Sequence, residues 1–435
     1  MRLAAAIAIA GVLTAAAPGL AQEAAETDVV AFQRLRAEGV AAANADDLAT
    51  AAARLAEADR RIPNHPGLML MRARVAAAAS QPAEALALAQ RYADTGLSMN
   101  LGGDPALAGL SDQPGFAVLE ATVEANRAPV GADRLAPLAA IAGGGLVESV
   151  ARDEARGRWL VALVRGRTIV ALDDAGTVSP WLGADPAIGG LLGLALDARA
   201  GVLWAAASPV PPAVNGMAPE APRPAPALLK IDLASGRVLA RYPAPAADQM
   251  LGDVTLAPDG VVYVAGGDLL QLRPGDEALE TLLPAGQMRS PQGMAVTPDG
   301  EALIVADYSS GLWRVDRDSG EAIRLEAPSN ASLIGIDGLT TDGRALYGLQ
   351  NGTAPQRVLK LTPDADWSRI ETVEVLAANL PEIDEPTTGL VHDGELVFVS
   401  RSQWSDFDGE GALKSPEPAP ALISRLRLGL TGTRQ

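Results

Sequence analysis

The chain has 435 residues, more than one ordinary compact core holds, so two or three domains or one large repeat architecture must absorb the length. Hydrophobic residues make up 48% but aromatics only 3%, which leaves the core to Ala, Leu and Val. A net charge of −18 argues against a nucleic-acid partner, whose phosphates need a basic face, and suits an acidic mouth that draws in cations.

The first residues, MRLAAAIAIAGVLTAAAPGLAQ, combine one positive charge, an apolar run and a small-x-small ending at Gly19–Leu20–Ala21. This is the pattern of a secretory signal peptide over residues 1–21, cleaved after Ala21. The run is shorter than the ~20 residues that span a bilayer, and no later segment is apolar enough to do so. The expectation is a soluble periplasmic or secreted protein.

From residue 28 to 126, small and apolar residues recur at helical spacing. Breaks fall at the NADD turn, at Pro63 and Pro66, and at Gln81–Pro82. A register of roughly 34 residues and Ala-lined faces resemble tetratricopeptide repeats, with a plain helical bundle as the competing reading. His65, in PNHPG, reads as a cap or turn residue.

After the linker RAPVGADRLAP the pattern changes to short strands, and residues 127–435 form the second domain. Units of strand, turn and strand open at Gly144, Gly189, Leu251, Ser290, Gly335 and Pro386, many with a D-G turn. Their spacing of about 40 to 60 residues is that of propeller blades. Such a unit cannot bury both faces alone, so radial stacking follows. The fold class is therefore mainly β, a six-bladed β-propeller behind an α-helical domain, with a stacked solenoid or a sandwich as alternatives. Arg134–Ile141 would supply the outer strand that closes the last blade. Two Pro-rich stretches, Ser208–Ala227 and Lys414–Pro420, read as surface excursions poorly suited to a core.

The blades resemble those of the gluconolactonase and senescence-marker-protein (regucalcin) family, and more loosely NHL-repeat propellers, over about Gly143 to Gly429. The residues that open each blade's first strand carry the resemblance, because there the chain meets the central channel. In that family a Glu, an Asn and an Asp hold one divalent cation, usually calcium. The matching positions are Glu148 in LVESVARD, Gln292 in SPQGMAV and Asp337 in GIDGLTT. A further Asn that contacts substrate is matched by Gly252 in LGDVTLAPDG. The resemblance thus implies calcium, a lactone or other sugar-derived ester as substrate, and Asp337 as general base. It also departs at two positions, because Gln292 is a longer amide and Gly252 has no side chain.

Calcium takes about six to eight hard oxygens, so Asp253, Asp307 and Glu385 are candidates to compensate. Asp307, which ends the strand in VADY, has a bland role too, since such residues bond turn amides in most propellers. Trp404, after a strand end in SRSQW, is a candidate to line the channel mouth. Trp159, Trp204 and Trp313 read as packing residues and His392 as exposed. NAS and NGT match glycosylation acceptors, with nothing else to indicate that modification. The absence of cysteine excludes disulfides and thiolate chemistry, and two histidines exclude a His-based metal cluster. Two functions from different classes remain: a metal-dependent hydrolase, or a non-catalytic binding or scaffold protein whose helical repeats hold a protein partner.

Overall fold

The structure, a computed structural model, describes residues 26–218 and 220–429; the signal-peptide expectation lies outside these residues. Five helices come first: α1 (Asp28–Asn44), α2 (Leu48–Arg61), α3 (Pro66–Ala78), α4 (Pro82–Asp94) and α5 (Phe116–Ala125). Local chemistry sets their starts. The Thr27 and Asp47 side chains accept the third-residue N–H groups of α1 and α2. His65 caps α3 by accepting from the Leu68 N–H at 3.3 Å, with Pro66 in the first turn. Helices α1 and α2 pack as one pair, α3 and α4 as another.

Six four-stranded antiparallel sheets follow, arranged as blades. Blade 1 spans residues 147–182, blade 2 190–243, blade 3 251–283, blade 4 291–324 and blade 5 336–378. Blade 6 takes three strands from residues 389–427, and its outermost strand is Leu135–Ile141 from the start of the domain. That strand runs antiparallel to Ala421–Arg427, pairing Leu135 with Leu426 and Ile141 with Ala421. The first and last strands are thereby joined and the ring closes, which removes the exposed sheet edges of an open array. Apolar clusters fill each gap between neighbouring blades. Leu160, Leu194 and Leu203 bridge blades 1 and 2, for example, and Ile304, Leu339 and Leu359 bridge blades 4 and 5.

Near the axis the blades converge closely. A Cβ on Gly293, in the inner strand of blade 4, would lie 2.2 Å from the Leu339 backbone nitrogen of blade 5. At Gly338 a Cβ would lie 2.0 Å from the Thr387 carbonyl oxygen. Glycine is required at both places because the neighbour is backbone.

The helical region shares its core with the propeller. Phe32, Leu35, Leu55 and Leu68 join the same apolar cluster as Val305, Trp313 and Val315 of blade 4. Polar ties reinforce the seam: Asn64 Nδ2 donates to the carbonyls of Ser329 and Ala331 at 3.0 and 2.9 Å. The Asn64 carbonyl accepts from Arg91, which also pairs with the buried Asp59. Two expectations change at this level. The Ser208–Ala227 insertion is not simply a surface excursion: Val210 and Val214 are buried with Leu146, Leu192 and Phe407. His392 is half-buried, its ring edge-on to Trp159 with centroids 5.3 Å apart, because the end of its strand faces blade 1. No described helix is long and apolar enough to cross a membrane.

Candidate functional site at the channel mouth

Five of the six innermost strand pairs carry a register shift, in each case within the first residues of the inner strand. The shifts fall between Val147 and Ser149, Leu191 and Leu194, Leu251 and Val254, Pro291 and Met294, and Ile336 and Gly338. A β-bulge re-aims the side chain that sits on it. Here the bulged positions include Glu148, Gly252, Asp253, Gln292 and Asp337, so the irregularity directs these residues into the axial channel. They meet in a pocket of about 610 Å³ with Tyr308, Asn351, Glu385 and Trp404.

Seven of the eight sequence candidates line this pocket: Glu148, Gly252, Asp253, Gln292, Asp337, Glu385 and Trp404. Asp307 does not. It is 1% exposed and accepts from the Ser290 backbone N–H at 2.8 Å and from the Ser310 hydroxyl. The Ser310 oxygen accepts in turn from the Trp313 indole at 2.9 Å, so Asp307 ties a loop to its blade. Tyr308 and Asn351 are site residues the sequence reading missed. Asn351 is the Asn of the NGT match, and only its tertiary setting separates it from a surface acceptor.

Four carboxylates face one mouth, against a single basic lining residue among those described, Arg289 at the rim. Glu148 accepts from the Trp404 indole N–H at 2.7 Å. Burial and then the Asp337 charge push the Glu148 carboxyl well above the usual range; the Trp404 bond opposes this, and Asp253 and Glu385 add to it. Burial followed by Asp337 lifts Asp253 to about 8. Asp337 is lifted to about 6 by burial, held back by the Asn351 amide and pushed further by Glu385. Asn351 Nδ2 donates to Asp337 Oδ2 at 2.6 Å, while its carbonyl accepts from the Tyr308 hydroxyl at 2.9 Å.

Backbone strain marks the same rim. Leu146, Glu385 and Gln403 adopt φ values of 51°, 53° and 82°, a region that costs a non-glycine residue about 1–3 kcal/mol. The buried Gln403 side chain links the two sides of the ring, accepting from the Leu146 N–H at 3.1 Å and donating to the Ala419 carbonyl at 2.6 Å. The next residue is Trp404. Its placement against Glu148 follows from that clamp and from Ser405, whose N–H donates to Glu385 Oε2 at 2.5 Å.

Gly252 and Gln292 prove to be spatially linked. A Cβ on Gly252 would sit 3.9 Å from Gln292 Oε1, in ordinary contact with this amide. The Gln292 amide nitrogen donates to Ser290 Oγ at 3.1 Å, which directs the carbonyl oxygen toward the pocket.

The donor set is all oxygen, as a hard cation requires. Asp253 Oδ2 is buried with no hydrogen-bond partner, an uncompensated acceptor that a cation or a proton would satisfy. The negative charge and the donor chemistry fit a divalent cation. Among the described residues, no three His, Asp or Glu side chains already converge as a metal cluster, and Glu148 and Asp337 each accept a hydrogen bond from a protein donor.

The fold and site define a six-bladed β-propeller with a carboxylate-rich axial pocket. No protein-family model matches the chain, and no curated protein does. Solved structures with some likeness include a gluconolactonase from Xanthomonas campestris, at 16% identity and a TM-score of 0.46, covering 68% of this chain and 91% of that one. A luciferin-regenerating enzyme shows 13% identity and a TM-score of 0.47 over 70% of this chain and 98% of that one. A calcium-binding protein, regucalcin, from Agrobacterium tumefaciens shows 15% identity and a TM-score of 0.45 over 68% and 92%.

Proposed function

We propose that the axial pocket binds a divalent cation of the calcium class and hydrolyses a lactone or related small ester. The observation that carries this reading is the convergence of Glu148, Asp253, Asp337 and Glu385 on one mouth, with one buried oxygen left without a partner. Unpaired like charges at this density favour a cation over an anion. Glu148, Asp337 and the Gln292 carbonyl would hold it, with Asp253 as a further oxygen donor. When bound, such an ion polarises a substrate carbonyl.

The protein's own groups supply the proton transfer. Asp337 is the carboxylate placed to take a proton from an attacking water. As the water oxygen bonds to the carbonyl carbon and the ester C–O bond breaks, Asp337 returns that proton to the leaving alkoxide. Asn351 orients the carboxylate through its 2.6 Å bond. A pocket of about 610 Å³ admits a substrate the size of a sugar lactone.

The binding-protein alternative has its own support in Gly252, which offers no substrate-contacting amide where the resembled family places one. On that reading the paired helices of a tetratricopeptide-like region 28–126 carry a protein partner, and the pocket holds a ligand without chemistry. An exported, periplasmic or secreted location remains part of either proposal. Calcium calorimetry on the wild type and Glu148→Gln, followed by a pH-stat assay on a panel of aldonolactones, separates them. Heat in the wild type, none in the variant and turnover of at least one lactone is the expected result. Calcium binding with no turnover across the panel supports the binding role, and no heat in the wild type removes the cation.

A further inference from the structure

Residues 350–357 join two strands of blade 5 and touch both the pocket and the helical region. On the pocket side, Asn351 donates to Asp337 Oδ2 at 2.6 Å and to the Pro386 carbonyl at 3.0 Å. The Gln356 side-chain oxygen Oε1 accepts from the Glu385 backbone N–H at 2.6 Å. The loop therefore holds the Asp337 carboxylate directly and the backbone of Glu385. On the helical side, the Ala354 carbonyl accepts from the Ser98 N–H at 2.7 Å. Arg357 Nη1 donates to the carbonyl of Thr95, the residue that ends α4, at 3.0 Å.

Arg357 is the hinge between the two sides. It is 2% exposed, and its other donors go to Gln350 Oε1, at 2.8 Å from Nε and 2.6 Å from Nη2. Gln350, fully buried, spends its own amide on the carbonyls of Ser332 and Ile334 at 3.0 and 2.7 Å. Every hydrogen-bond partner of the Arg357 guanidinium is therefore neutral. Burying a cation without a counter-ion is costly, and burial lowers this guanidinium to about 10. A simple apolar plug would close the seam more cheaply. The arrangement instead gives a continuous hydrogen-bonded path from the end of α4, through Arg357, to Gln350, the residue adjoining Asn351.

We propose that the helical region positions the pocket carboxylates through this loop, with Arg357 as the positioning residue, so that docking of the helices sets the affinity of the axial site. The inference rests on the cation-site reading above. On this view the helical region acts inward, as a support for one wall of the pocket.

The test uses the full chain and three variants. Arg357→Met removes the donors, Arg357→Lys retains one charge, and Ser98→Pro deletes a single N–H donor remote from the pocket. Calcium is titrated by calorimetry, and amide hydrogen exchange is followed across residues 335–357 and across blades 1 to 3. Outer-shell partners of metal ligands typically change affinity by about 10- to 100-fold. Arg357→Met is expected to weaken calcium binding by about tenfold or more, with partial recovery in Arg357→Lys, and to speed exchange at 351–356 but not in blades 1 to 3. Ser98→Pro should move both readouts in the same direction by less, and it keeps the test decisive if Arg357→Met fails to fold. Wild-type affinity in folded variants, or faster exchange spread evenly over all blades, overturns the proposal. If the wild type takes no calcium, the cation reading fails by itself. Exchange confined to 351–356 would then still support the loop coupling, and unchanged exchange there would overturn it.

Discussion

Replacing Asp253 by Asn tests the charge state of the pocket. Without a cation, burial and Asp337 raise the Asp253 carboxyl from 3.8 to about 8, so the folded protein holds a proton that the unfolded chain releases. Where the folded state binds more protons, stability falls as pH rises. The penalty is absent below about pH 4 and accumulates until the folded carboxyl ionises near pH 8. At about 1.4 kcal/mol per pH unit, a shift of about four units converts to roughly 5 kcal/mol; solvent in the pocket mouth screens this to about 2–3 kcal/mol. Asn has the same shape and does not titrate. The variant should match wild type within about 1 kcal/mol at pH 4.5 and exceed it by about 2–3 kcal/mol at pH 8. Urea unfolding followed by tryptophan fluorescence in chelator, at both pH values, reads the difference. A stability difference of the same size at both would refute the reasoning. Calcium at about 100 times its Kd should add about 2.7 kcal/mol to the wild type at pH 8 and less to the variant.

Trp404→Phe keeps the ring and removes the N–H bonded to Glu148 at 2.7 Å. A hydrogen bond to a charged group contributes about 1.5–3 kcal/mol, so calcium affinity should fall about tenfold and its pH midpoint should rise. Unchanged calorimetric binding would count against Trp404 as a support for Glu148. Gly252→Asn and Gln292→Asn should each weaken binding while the double variant recovers, with a coupling of about 1–2 kcal/mol in a double-mutant cycle. Additive effects would show that the two positions are independent. Gly293→Ala places a Cβ 2.2 Å from the Leu339 backbone nitrogen and should cost about 3 kcal/mol or more. A melting temperature within a degree or two of wild type would contradict the close approach of blades 4 and 5.

Much of the fold could be read from the amino-acid order because it depends on local periodicity. Alternating runs mark all six blades and D-G turns mark four of them, and the segment 134–141 was legible as the closing strand by its alternation. The caps at Asp47 and His65 are likewise local. The resemblance located Glu148, Gln292 and Asp337, but it gave Gln292 and Gly252 as two separate departures from the family pattern. The structure places the two positions next to each other in the channel.

The sequence by itself determined the strand units, their number and the acidic character of the chain, since these follow from spacing and composition. Only the tertiary structure decided which acids share a pocket. A strand pattern with period two does not reveal a bulge, and the bulges aim Glu148, Asp253 and Asp337 at the axis while Asp307 stays bound in its turn. The roles of Asn351 and Arg357 lie still further from the sequence. Both are polar residues in a loop, and their partners Asp337, Glu148's neighbour in the pocket, and Thr95, at the end of α4, are brought to them only when the ring closes and the helices dock.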